Sequence, residues 1–120
     1  MSVRAIRGAT QVETNSAESI AAGTKELLLE LMSANELSPD QVISVLLTAT
    51  PDLNAAFPAA AAREIGFENV PLLCAVEIDV AGALPRTIRA MATVESERTK
   101  SEIAHIYLHG AKSLRRDIAQ

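Results

Sequence analysis

The sequence predicts an α+β domain, a mixed β-sheet carrying helices on one face, and three observations lead there. Between Pro71 and Val94 two extended runs, PLLCAVEIDV and RTIRAMATV, flank a connection holding Gly82 and Pro85, the pattern of a paired β-strand unit. Val42 to Ala49 (VISVLLTA) is a continuous apolar run rich in β-branched residues and reads as a strand buried on both faces. Ile20, Thr24, Leu27, Leu28, Leu31 and Met32 recur at helical spacing, with Lys25, Glu26 and Glu30 on the opposite side.

The chain opens with a predicted strand over Val3 to Val12. Val3, Ala5, Arg7 and Ala9 share one face, and Arg4, Ile6, Gly8 and Thr10 the other. Arg7 thus stands among small apolar side chains, which an edge arginine lying along the sheet would also explain. Asn15, with Glu18 three residues on, is a candidate cap for the helix that runs to about Ala34. Ser38-Pro39-Asp40-Gln41 is a stronger start signal, a capping hydroxyl followed by proline and then Gln, and opens a short turn before the apolar strand. From Pro58, PAAAAREIG reads as a short helix closed by Gly66, its alanines permitting close packing. In the central pair Ile88, Ala90, Ala92 and Val94 form a core face, while Arg89, Met91 and Thr93 take the other. Leu72, Cys74, Val76 and Ile78 likewise share a face, opposite Leu73, Ala75, Glu77 and Asp79. A last strand follows Ser101, with Ala104, Ile106 and Leu108 alternating with His105, Tyr107 and His109. A sheet with one solvated face alternates apolar and polar residues cleanly. This one places charges on a mostly apolar second face, which must therefore meet something.

The 120 residues are expected to form a single domain, 1–120, with a short polar tail after about Leu114 that can be flexible. Hydrophobic residues make up 48% and aromatic residues only 2%, so the core rests on Ala, Leu, Ile and Val. A net charge of -4 and scarce aromatics argue against a nucleic-acid surface, which needs clustered cations and stacking platforms. One cysteine fits a reducing compartment. Neither a secretory leader nor a bilayer-length apolar run is present, so the expectation is a soluble cytoplasmic protein without membrane contact.

His105 and His109 lack partners at metal-ligand spacing, and no Gly-rich phosphate loop or nucleophilic triad emerges. What remains is Arg7, Glu77, Arg89 and Tyr107, all placeable on the second face. Two guanidiniums grip carboxylates and one carboxylate accepts from a hydroxyl, which suits a small dianion bearing an OH. An intersubunit salt-bridge cluster would account for the same spacing.

In the order and spacing of several stretches the chain resembles the monofunctional chorismate mutases of the Bacillus type, the AroH class. They are Arg4-Ala5-Ile6-Arg7-Gly8-Ala9-Thr10, Thr48-Ala49-Thr50-Pro51-Asp52-Leu53, Phe57-Pro58-Ala59, Ala62-Arg63-Glu64, Val70-Pro71 through Cys74 to Glu77, Ile88-Arg89 and His105-Ile106-Tyr107-Leu108. The resemblance runs from about Arg4 to Asp117. It implies a homotrimer whose sheets face one another in a pseudo α/β barrel, with helices outside and active sites at the subunit interfaces. It also implies a cofactor-free isomerase that rearranges chorismate to prephenate on the way to phenylalanine and tyrosine. By the same resemblance Arg89 is placed at the ether oxygen and Arg7 at a carboxylate beside Tyr107. Glu77 and the backbone at Cys74 would receive the ring hydroxyl. Phe57, Ala59 and Leu73 would line an apolar wall across the interface, and Arg63 and Arg115 its cationic rim.

Three positions depart from the family pattern. Ala60 stands where a lysine often follows the FPA motif, Leu73 where a threonine can occur, and Arg116 where a proline often follows the tail arginine, so either Arg115 or Arg116 could serve. Two other readings compete: a trimeric small-acid enzyme of the RidA-type imine deaminases, and a non-catalytic metabolite-binding trimer. A mono-acid substrate would survive loss of one arginine, whereas a dianion needs Arg7 and Arg89 together.

Overall fold

A computed structural model describes residues 2–114. It contains β1 (Ser2–Gln11), α1 (Ala17–Ala34), β2 (Val42–Ala49), α2 (Pro58–Ala62), β3 (Leu72–Val76), β4 (Thr87–Ser96) and β5 (Ile106–Leu108), with short 3-10 turns at Pro39–Gln41, Lys100–Glu102 and His109–Leu114. The five strands form one mixed sheet in the order β3-β2-β4-β1-β5. β4 runs antiparallel to both neighbours, while β3 and β5 run parallel to β2 and β1.

The predicted helical stripe lies in the core, with Ile20, Thr24, Leu27, Leu28, Leu31 and Met32 all buried. It packs against Ile6, Val45, Leu47, Ala90, Ala92, Val94 and Ile106, so both helices cover the same face of the sheet. Cys74 also packs toward that core, on the side away from Glu77 and Arg89 as strand parity requires. Gly66 (φ 105) closes the turn after α2 in a left-handed conformation. Gln41 Oε1 accepts from the Ser38 N–H at 3.0 Å, fixing the predicted turn before β2. Among the described residues no helix is long and apolar enough to cross a membrane.

Three expectations are corrected. The runs flanking Gly82 and Pro85 are strands, but they are not paired with each other: β2 lies between β3 and β4 and bonds to both. The connection is too long for a tight turn, and the more apolar β2 takes the place between them. β2 is not buried on both faces, because helices cover only one side and Ile43 and Leu46 stand exposed on the other. Ser16, not Asn15, caps α1, its hydroxyl accepting from the Ser19 N–H at 3.1 Å. Asn15 instead accepts from the backbone N–H groups of Asn54 and Ala55, at 3.0 and 3.1 Å, and ties down the loop before α2. The tail positions Arg115 and Arg116 lie outside the described residues.

Candidate active site

Cross-strand register decides which side chains meet on the uncovered face. Thr48 of β2 stands opposite Arg89 of β4, Arg89 opposite Ala9 of β1, and Ala9 opposite Tyr107 of β5. Four residues from four strands therefore form one row. The adjacent row holds Leu46, Met91 and Arg7. Together Arg7, Leu46, Thr48, Arg89, Met91 and Tyr107 line a cleft of about 200 Å³.

Glu77 reaches this row from just beyond β3, where its N–H donates to the Ala49 carbonyl at 2.9 Å and extends the ladder by one rung. Arg89 Nε lies 3.2 and 3.0 Å from its two carboxylate oxygens. Thr48 Oγ1 donates to Glu77 Oε2 at 2.6 Å. The pair is asymmetric: the Glu77 side chain is 15% exposed and that of Arg89 45%. The carboxylate is thus held from both sides, while the guanidinium bonds to it through Nε and stays more exposed. Arg7 makes no ion pair among the described residues. Tyr107 is 4% exposed and packs against Ala9 and Ala111, with Leu84 and Leu114 alongside. Its ring orientation is therefore set by packing.

Such a face offers two guanidiniums, one oriented carboxylate and a fixed aromatic ring, the groups that hold a small anion without reacting with it. The model of the family described as chorismate mutase type I matches residues 3–118. The chain belongs to the chorismate mutase type I family.

Relatives within this family include the chorismate mutase AroH of Bacillus subtilis, 44% identical over 120 residues that cover 99% of this chain and 94% of that protein. The chorismate mutase AroH of Thermus thermophilus is 45% identical over 117 residues, covering 97% and 96%. A solved chorismate mutase structure from Clostridium thermocellum superposes with a TM-score of 0.90 at 48% identity, covering 92% of this chain and 98% of that one.

Of the chorismate mutase residues expected from sequence, Arg7, Arg89 and Tyr107 meet in the cleft and Glu77 bonds to Arg89. The others lie elsewhere in the chain. Cys74 and Phe57 line a separate depression beside β3 with Ala75 and Val76, Phe57 being 75% exposed. Leu73 is 66% exposed on β3, Arg63 caps the C-terminus of α2 at the surface, and Ala59 is buried in the core. Arg115 lies outside the described residues. Thr48 was not singled out from sequence. Its signals were a hydroxyl on the same parity as Leu46 within an apolar run and its place at the head of one of the stretches shared with the family.

Beside the cleft, Asp52 accepts from the Arg86 N–H at 2.8 Å and holds the loop that leads into β4. Partial burial pushes its carboxyl up. Hydrogen bonds from the Thr50 side chain and the Arg86 backbone outweigh this and leave it below the ordinary carboxylate value.

Proposed function

We propose that the chain is a cytoplasmic chorismate mutase that works as a homotrimer, without a cofactor, in phenylalanine and tyrosine biosynthesis. The supporting observation is the cleft that brings Arg7, Arg89 and Tyr107 onto one uncovered face with Glu77 locked against Arg89. The rearrangement breaks the ether C–O bond of chorismate while a C–C bond forms within the same molecule. No proton and no external electron pair enters or leaves. What a protein can add is a compact substrate conformer and a donor where the ether oxygen gathers negative charge.

In this reading the terminal nitrogens of Arg89 donate to that oxygen and to a carboxylate. Arg7 grips a carboxylate beside Tyr107. Glu77, fixed by Thr48, accepts from the ring hydroxyl together with the backbone at Cys74. Two further copies cover the face on which Val3, Leu46, Leu73 and Met91 are exposed. The neighbouring copy supplies Phe57 and Leu73 as an apolar wall, and Arg63 and Arg115 as cations at the mouth, while Ala59 stays in the core of its own chain.

The test is loss of chorismate absorbance on adding purified protein, with an Arg89→Ala sample alongside. Conversion to prephenate without a cofactor is expected, and a drop in kcat of about 10²–10³ or more in the variant, the scale for losing one transition-state donor. Near-normal turnover by Arg89→Ala would refute the assignment.

A further inference from the structure

His105 carries a hydrogen bond that the mechanism above does not use. β1 and β5 run parallel, with Gly8 opposite Ile106, Ala9 opposite Tyr107 and Thr10 opposite Leu108. The ladder stops there, because β5 begins at Ile106. One rung earlier stands Arg7, and its backbone N–H donates to His105 Nδ1 at 3.0 Å. An imidazole nitrogen thus serves as the acceptor at the point where the strand has ended.

From this geometry we propose that His105 is a positioning residue for Arg7, its Nδ1 completing the β1–β5 ladder by one rung and so fixing Arg7 relative to Tyr107. Two chemical facts support this assignment. Nδ1 accepts, so the neutral ring carries its hydrogen on Nε2 and presents a lone pair to the Arg7 N–H. The same short segment holds Tyr107 two residues on, opposite Ala9, so a tether at His105 sets the offset between the two side chains that face the cleft. Arginine has a long flexible stem, and a fixed backbone origin reduces the ordering that carboxylate binding demands. The half-buried ring shares its surroundings with Arg4 and Lys100, and β4 presents the uncharged Thr93 there.

The proposal rests on the reading that Arg7 holds a substrate carboxylate, and the test separates the two. Asn and Gln both keep position 105 polar, but they place their carbonyl oxygens differently. The Asn oxygen branches from the same carbon as Nδ1 and can accept from Arg7, whereas the Gln oxygen lies one bond farther out, toward the Nε2 position. Chorismate kinetics are measured for wild type, His105→Asn, His105→Gln, Arg7→Ala and Arg7→Ala/His105→Gln, with melting temperature and sedimentation for each. His105→Asn is expected to stay within about threefold of wild-type kcat/KM. His105→Gln should raise KM by about tenfold with kcat changed less than about threefold, the pattern of lost uniform binding. On the Arg7→Ala background the Gln substitution should add less than about twofold, because contributions routed through one residue do not add.

Equal behaviour of the Asn and Gln variants, whether both normal, both impaired or both misfolded, overturns the proposal. So does a Gln penalty that persists without the Arg7 side chain. An inactive wild type, or an Arg7→Ala variant with wild-type KM, refutes the reading of the site itself and the proposal with it.

Discussion

Thr48→Val removes one hydroxyl and almost no volume, so it isolates the bond from Thr48 Oγ1 to Glu77 Oε2, 2.6 Å long. Hydrogen bonds to charged groups contribute about 1.5–3 kcal/mol. Glu77 keeps its contact with Arg89 Nε, and its remaining exposure of 15% admits some water to the vacated lone pair. About half the full value should therefore be lost, about 0.75–1.5 kcal/mol, which corresponds to about a 4–12-fold fall in kcat/KM. The loss should act through the carboxylate, so Thr48→Val should add less than about twofold on a Glu77→Ala background. Initial rates from chorismate absorbance give both numbers, with melting temperature as the control for folding. A Thr48→Val enzyme within about twofold of wild type, folded and assembled alike, would show that Glu77 needs no orienting donor.

Two further outcomes are expected. Asp52 has a carboxyl lowered in the folded state, so its contribution is complete above the unfolded value of about 3.9 and is lost as pH falls through the lower folded one. Asp52→Asn should flatten the acid side of the stability profile below about pH 4.5 by less than about 1 kcal/mol, since the group is largely exposed, and urea unfolding at pH 7 and pH 3.5 would reveal a steeper profile if the sign were wrong. Met91→Glu places an acid on the exposed face beside Leu46 and should convert trimers to monomers in sedimentation, because burying an unpaired carboxylate at an apolar contact costs several kcal/mol. A trimer that tolerates it would place the subunit contact elsewhere.

Face parity was legible in the sequence because it depends only on alternation. Ile88, Ala90, Ala92 and Val94 entered the core and Arg89 did not, and the α1 stripe was read residue by residue. Strand order was not legible, because parity says nothing about which edge bonds to which. The insertion of β2 between β3 and β4 follows from hydrogen bonding across the whole sheet. Asn15 and Ser16 are adjacent and both suitable as caps, and the choice was made by the distant loop at Asn54 that occupies Asn15. The same limit hid Thr48 and His105. Each acts through a partner far along the chain, Glu77 and the Arg7 backbone, that only register brings near. The charges of the site were legible as residue types on one face, while the bonds that orient them were not.

Charge balance within one chain favours the proposed sharing of the site between copies. Arg89 is largely compensated by Glu77 at about 3 Å, so the cleft of a single chain presents little more than the net positive charge of Arg7. A dianion placed there would leave negative charge in a partly desolvated site, where an unbalanced carboxylate is costly. Another cation has to face the substrate, and Arg63 does not line this cleft. It stands exposed at the end of α2, a helix packed on the opposite side of the sheet. In the proposed homotrimer a neighbouring copy seated on the open face would bring its own Arg63 to the mouth. Rigidity is an asset for this reaction. A unimolecular rearrangement needs no group to swing or carry a proton, so in the proposed trimer the strand register that fixes Arg89, Arg7 and Tyr107 would give the transition state its donors with little reorganisation.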